Sequence, residues 1–339
     1  MWDPQECDGR VVLGMDGSQH ALDAVAWAAD YAANRNLGLT LLTAQEPMAH
    51  SLRELIASHD VDALLQRSAA SVLERGAHLA QSQHPDLDVR LATVWDAPAP
   101  ALIEVSAHAA VVVTSSRGLG GWSGLMLGSV TAEVVPFAHG PVIVIPHRMD
   151  SPRLAGVTTD TDSLVADLPS VAVSADAAEP ISWMASGQSS AGEVVLGVHA
   201  HVGPAATWFA FEHAHRWGVG VFAVHGWAVG VDWQMPLDLD PTTARALREH
   251  HEVLIDEAIS AASAEFPQVP VRRQAVLGSP VTALAKASRG ARLLVVGSTV
   301  RGPVRGFLLG STTLGVLQVA HCPVAVIRPQ PEGFDPSAV

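Results

Sequence analysis

The feature that most narrows what this chain can fold into is an internal duplication. Ser115-Ser-Arg-Gly118, nine residues, then Gly128-Ser129 stand between the apolar run Ala110 to Thr114 and a helix-like run. The layout returns at Gly297-Ser-Thr-Val300, nine residues, Gly310-Ser311. Downstream the copies stay in step at a constant offset. Gly124-Leu-Met-Leu-Gly-Ser-Val-Thr131 matches Gly306-Phe-Leu-Leu-Gly-Ser-Thr-Thr313, and Ala138-His-Gly-Pro-Val-Ile-Val-Ile145 matches Ala320-His-Cys-Pro-Val-Ala-Val-Ile327. The chain of 339 residues therefore reads as one unit given twice, each copy long enough for its own core.

Within a copy, short apolar runs alternate with helical periodicity. Val11 to Met15 reads as a buried parallel strand stopping at Asp16-Gly-Ser18, where Ser18 is a natural N-cap. The next helix carries Ala21, Val25, Ala28 and Ala32 on one stripe. The pattern continues with a strand over Leu39 to Thr43 and a helix from about Leu52 to Gln81, with Leu65, Ala69, Val72 and Leu79 inward. A strand over Val89 to Val94, a helix over Pro98 to Ala107 and a strand over Ala110 to Thr114 follow. A helix over Ser129 to Ala138, with Pro136 as its kink or early stop, and a strand over Val142 to Ile145 complete the copy. The second copy gives strands over Val194 to Val198, Val219 to Val224, Val271 to Val276, Arg292 to Val296 and Val324 to Ile327. Its helices are Pro204 to Trp217, Pro241 to Glu265, Val281 to Ser288 and Ser311 to Ala320, the second with Leu247, Leu254, Ala258 and Ala262 inward.

Strands that alternate with helices pair in parallel through right-handed crossovers. Each copy is expected to be a doubly wound α/β domain, a five-stranded parallel sheet between two helical layers. The domains fall at 1–147 and 192–329; a Ser/Ala/Asp/Pro-rich linker is read at 148–191 and a tail at 330–339. The apolar fifth strand, placed at a sheet edge, predicts edge pairing between the repeats or between chains.

Charge is sparse and the formal balance is −14, which opposes a nucleic-acid or anionic-membrane role. Cys7 and Cys322 are too few for a disulfide framework. No basic, then apolar, leader opens the sequence, and no apolar run reaches the ~18 residues of a membrane span. These readings predict a cytoplasmic protein.

The duplicated loop carries the chemistry. A strand that runs into a small-residue loop and re-enters as a helix leaves amide N–H groups aimed at one spot, which suits an anion. No Gly-Lys-Ser/Thr follows, so the loop is not a Walker A motif. No residue stands out as a base to orient an attacking water. The sixteen histidines include His199-x-His201 and His213-x-His215, but an i, i+2 pair on a helix does not converge and nothing completes a tetrahedral set. No metal is expected. Cys322, before Pro323, reads as buried structure, and Trp122 and Met126 as lid packing.

On these residues both halves resemble universal stress protein domains, whose hallmark is Gly-x-x-Gly, nine residues, Gly-Ser/Thr with an Asp closing the first strand. The opening Val11-Val-Leu-Gly-Met-Asp-Gly-Ser18 and the closing Cys322-Pro-Val-Ala-Val-Ile-Arg328 are typical of that family. The resemblance implies the adenine nucleotide alpha hydrolase-like fold, ATP binding (alone or with Mg), a role in the stress response, a homodimer and a regulatory protein partner. It places Asp16 at the adenine, Gly14 and Met15 along the pocket, and Ala44 beside the base. Ser115, Gly118, Gly128, Ser129 and Val130 would meet ribose and phosphates. Ser115 stands where the family has its first glycine. In the second half Gly297, Gly310, Ser311 and Thr312 remain, but His199 replaces the Asp and Val300 the second glycine. Arg301 and Arg305 are either phosphate contacts or solvated loop residues. A weaker or lapsed second site is expected; an interaction scaffold without nucleotide and a slow ATPase stay open as alternatives.

Overall fold

The structure is a computed structural model that describes residues 2–46, 60–116, 127–147, 192–199, 202–227, 240–298 and 309–329. These fall into two compact units, 2–147 and 192–329. The segments around Gly118, Trp122 and Met126, around Val300, Arg301 and Arg305, His201, the linker and the tail lie outside the described residues.

In unit 1 the elements are β1 (Val11–Gly14), α1 (Gln19–Asn34), β2 (Leu39–Ala44), α2 (Asp60–Gln83), β3 (Val89–Val94), α3 (Pro98–Val105), β4 (Val111–Ser115), α4 (Ser129–Phe137) and β5 (Val142–Ile145). All pairings are parallel, in the order β3-β2-β1-β4-β5. Helices α1 and α2 pack together on one face, α3 and α4 on the other. The central strand explains why the sheet is parallel. Val11, Val12 and Leu13 are wholly buried, so both faces need a helical cover, and only crossovers supply one. The expected stripe of α1, Ala21, Val25, Ala28 and Ala32, is fully buried; its small side chains let the helix lie close to the strands. Pro136 falls in the last turn of α4, which closes one residue later with the Ala138 N–H on the Val134 carbonyl.

The N-terminal approach to β1 is pinned by a buried arginine. Arg10 donates to Thr40 Oγ1 at 2.9 Å, to the Leu39 carbonyl at 2.9 Å and to the Asp88 carbonyl at 2.8 Å, and pairs with the Asp88 carboxylate. That guanidinium holds the Asp88 carboxyl below the usual carboxylate range. A Cβ on Gly38 would stand 2.1 Å from Arg10 Nη1, so the bare backbone at Gly38 is what admits the guanidinium.

Unit 2 repeats the plan with β6 (Val194–Gly197), α5 (Pro204–Trp217), β7 (Val221–Trp227), α6 (Pro241–Glu265), β8 (Val271–Leu277), α7 (Pro280–Ala287), β9 (Leu293–Gly297), α8 (Ser311–Val319) and β10 (Val324–Ile327). Its order is β8-β7-β6-β9-β10, again all parallel.

Two sequence expectations are corrected. The innermost line of α2 is Ala69, Leu73, Gly76 and Ala80, and that of α6 is Ile255, Ile259 and Ala262; Leu65, Val72, Leu79, Leu247, Leu254 and Ala258 are half-buried flanks. Gly76 was hidden because a glycine reads as a weak helix residue. Here it is a contact point, where a Cβ would come within 2.8 Å of Leu41 Cδ1. The second correction is β7, which starts two residues later than expected and runs on through His225 and Gly226 to Trp227.

Candidate functional site

In a sheet ordered 3-2-1-4-5 the chain reverses direction between the first and fourth strands, and the crevice beyond their C-terminal ends is the natural ligand site. In unit 1 that crevice lies between β1 and β4. Leu13 pairs with Val113, so carrying the register forward sets Met15 beside Ser115. Gly14 pairs with Leu42 on the other side, which sets Asp16 beside Ala44.

The turn leaving β1 is built by its own side chains. Met15 N–H donates to the Leu42 carbonyl at 2.7 Å, the last tie to the sheet. Asp16 Oδ1 accepts the Ser18 N–H at 2.9 Å, and Ser18 Oγ accepts the Ala21 N–H at 3.1 Å to start α1. Gly17 has φ +82°, and a Cβ there would lie 3.0 Å from Val72 Cγ2 of α2, so the turn requires glycine on both counts. Asp16 itself is exposed. Met15 is buried against Gly76, and the bare face of Gly14 is turned to Leu102 of α3.

The β4 end is tied twice to the start of α4 and once to the chain leaving β5. Gly128 N–H donates to the Ser116 carbonyl at 2.8 Å, so the chain returns to the point where it left. Thr131, 2% exposed, donates its hydroxyl to the Ser115 carbonyl at 2.8 Å. His147 N–H donates to Ser116 Oγ at 2.8 Å. Helix α4 starts on Gly128, which supplies no side-chain cap. Its first-turn amides, at Ser129 and Val130, therefore keep the partial positive charge of a helix N-terminus. Ser115, Gly128, Ser129 and Val130 are thus brought together around one helix start, next to the strand end that carries Met15 and Asp16, with Ala44 across from Asp16.

Sequence reasoning missed other residues at these strand ends. His20 and His147 bring ring nitrogens within 3.0 Å, edge to face; 127 positions of separation leave no local signal. Gln45, directly after Ala44, donates Nε2–H to the Leu65 carbonyl of α2 at 2.9 Å.

Unit 2 fills the corresponding space with rings. His199, in the place of Asp16, brings Nε2 to 3.8 Å from where a Cβ on Gly297 would stand. Where unit 1 has Thr43, Gln45 and Ala69, unit 2 has His225, Trp227 and His251. The buried His225 directs Nδ1 at the Val198 carbonyl, 2.8 Å, and Nε2 at His251 Nδ1, 3.1 Å. Trp227 stacks on His251 with ring centroids 4.3 Å apart. Burial, then the neighbouring His225 and His250, hold His251 below the ordinary imidazole range. The helix clamp also loosens: Thr313 Oγ1 lies 3.4 Å from the Gly297 carbonyl. Gly310 caps α8 as Gly128 caps α4, with Ser311 and Thr312 in its first turn. Of the other histidines weighed for metal, His213 is buried against the Phe209 carbonyl and His215 meets Gln268.

Two doubly wound sheets in tandem, each with a glycine-capped helix at its switch point, define a tandem α/β protein. The profile of the Universal stress protein family matches residues 9–146 and again 193–328, and the chain belongs to that family. Universal stress protein Rv2005c of Mycobacterium tuberculosis is 30% identical over 330 residues, spanning 94% of this chain and 96% of that protein. Universal stress protein Rv2623 of the same organism is 28% identical over 344 residues, with the same coverage. The crystal structure of a universal stress protein from Archaeoglobus fulgidus aligns over 96% of this chain and 98% of its own, with TM-score 0.60 and 18% identity; at that identity the likeness concerns the fold. Among the described residues no helix is long and apolar enough to cross a membrane.

Proposed function

We propose that this chain is an ATP-binding stress-response protein whose nucleotide is held by unit 1 alone. The observation that carries this reading is the uncapped start of α4, held by Thr131 and Gly128 beside the strand end bearing Asp16. The fit is chemical. Amides of the first turn and the Ser129 hydroxyl donate to phosphate oxygens, while Asp16 and Ala44 flank the base. With one Asp16 oxygen holding the Ser18 amide, the carboxylate is a positioned acceptor, which favours holding the nucleotide over activating water. Nucleotide in unit 1 then selects the conformation or dimer that a partner protein reads. In unit 2 the rings of His199, His225, Trp227 and His251 stand where unit 1 has shorter side chains, and no base site is assigned there.

Denaturing the purified chain and identifying the released nucleotide, followed by calorimetric titration of stripped protein with ATP, tests this. One site per chain is expected, abolished or weakened at least tenfold by Asp16→Ala. Two equal sites per chain would refute the assignment to unit 1. An empty supernatant with no binding on adding ATP would refute nucleotide binding altogether and favour an interaction scaffold.

A further inference from the structure

Strand β3 ends the unit 1 sheet, and among the described residues it is paired on its β2 side alone. Leu39 N–H donates to the Asp88 carbonyl and Gln45 N–H to the Val94 carbonyl, and the β2–β3 register between them is unbroken. Successive residues of a strand turn their backbone groups to opposite sides. The even-numbered residues therefore bond β2, while Val89, Leu91 and Thr93 direct N–H and C=O outward. Such an edge invites another strand unless charge, proline or a bulge spoils it.

Beta strand β3 has no such protection at its centre. Leu91 is 46% exposed. It shares a face with its register partner Leu41, which faces Gly76 of α2. The nearest charge, Arg90, is drawn back to the Glu6 carbonyl at 3.1 Å and toward Asp88. Trp95, one residue past the strand, is 42% exposed. Exposed Leu64 of α2 lies at that same end, since the adjacent Leu65 meets Gln45 and Gln45 reaches Val94.

The second repeat shows the same edge defended. Leu91 stands level with Leu41 and Leu13; the matching row in unit 2 is Leu196, Ala223 and Arg273. Arg273 pairs with Asp256 of α6 at 2.6 Å. A charge in the middle of an edge opposes pairing with a further strand. Unit 2 thus carries an arginine where unit 1 offers a bare leucine.

We propose that the β3 edge of unit 1 is a homodimer interface, in which β3 pairs antiparallel with β3 of a second copy of this chain about a twofold axis at Leu91. In that register Leu91 faces Leu91 of the second copy and Val89 faces Thr93, each as a hydrogen-bonded pair. No other twofold register uses the outward groups of all three residues. The two exposed leucines cover each other, and Trp95 comes opposite Leu87. Helix α2 packs on both β2 and β3, so the two α2 helices come to lie about two strand spacings apart, roughly 10 Å, a helix-packing distance. The same pairing of β8 would set Arg273 against Arg273. The proposal does not depend on the nucleotide reading above.

The test uses the full chain as wild type, Leu91→Arg, Leu91→Cys and Val89→Cys. Wild type is expected to self-associate in light scattering. Leu91→Arg, which copies unit 2, is expected to halve the assembly mass and weaken association at least about tenfold, with an unchanged circular dichroism spectrum. Opposed Cα atoms of a hydrogen-bonded pair stand about 5.5 Å apart, within disulfide reach. Mild oxidation is therefore expected to yield a covalent dimer from Leu91→Cys. Val89→Cys should give little, because its symmetry mate lies about 13 Å away along the strand; the native Cys7 and Cys322 are buried. A monomeric wild type, or a Leu91→Arg chain with the wild-type mass, overturns the proposal. Should Leu91→Arg fail to fold, the cysteine variants decide: no covalent dimer from Leu91→Cys, or equal yields from the two, overturns it.

Discussion

Replacing Thr131 by Val isolates the clamp that holds the α4 N-terminus beside the end of β4. Valine keeps the shape, and its helix propensity matches that of threonine, so only the hydroxyl is lost. That hydroxyl is buried and donates at 2.8 Å to the Ser115 carbonyl. Losing one such bond costs about 1 kcal/mol, and the carbonyl left behind raises this to about 2 kcal/mol. A local cost of about 1–2 kcal/mol is about 5- to 30-fold in the opening equilibrium. The repeat supplies its own control. Thr313 is equally buried, but its oxygen lies 3.4 Å from the Gly297 carbonyl, beyond a good hydrogen bond, so Thr313→Val is worth about 0.5 kcal/mol or less. Hydrogen exchange by mass spectrometry, read separately on the peptides spanning α4 and α8, measures both. The expected result is faster exchange in α4 for Thr131→Val, together with weaker ATP binding, and near-silence in α8 for Thr313→Val. Equal effects in the two helices, or intact ATP affinity with a clearly opened α4, would refute the claim that the clamp positions the phosphate-binding amides.

Two further outcomes follow from the packing. Gly38→Ala would set a Cβ 2.1 Å from Arg10 Nη1 and must shift the guanidinium off its partners, of which the Asp88 carboxylate is largely exposed, at a cost of about 1–3 kcal/mol; a lowered urea midpoint for the unit 1 transition checks it. In unit 2, burial and the adjacent histidines depress the His251 pKa, so between that lowered value and about 6.5 the unfolded chain binds more protons than the folded one. The stability owed to neutral His251 is complete above about pH 6.5 and is lost as pH falls below it. His251→Phe keeps the stack on Trp227 and removes the proton, so it should flatten the fall in melting temperature from about pH 7.5 to about pH 5.5; a slope identical to wild type would contradict this.

Much of the architecture was legible because it is periodic. Buried parallel strands announce themselves as unbroken Val, Leu and Ile runs, and β5 and β10 occupy the residues expected of them. Legibility failed where a residue's role depends on something distant in sequence. Gly76 is defined by Leu41 and Met15, not by its helical neighbours. The sequence His225-Gly-Trp227 looks like the polar exit from a strand, yet His225 is held inside by the Val198 carbonyl and His251.

The two repeats diverge in a manner that the hallmark loop alone would not reveal. Helix starts at Gly128 and Gly310 are nearly superposable in sequence and in cap geometry, so the glycine-capped helix start is kept in both. Divergence is concentrated at the ends of the first two strands and on the helix above them. There a short acidic turn with Ala44, Gln45 and Ala69 gives way to His199, Gly226, Trp227 and His251. Gly226 records how far the change has gone: a Cβ there would stand 2.5 Å from Pro280 Cα, so the end of β7 is pressed onto α7 where β2 tolerates an alanine. On the function proposed above, a repeat can keep amides suited to phosphate and lose room for a base, because amides belong to the backbone whereas the room is set by side-chain volume. Restoring Asp at His199 alone would therefore leave unit 2 without a purine site, since the His225–His251 pair and Trp227 would still occupy the corner.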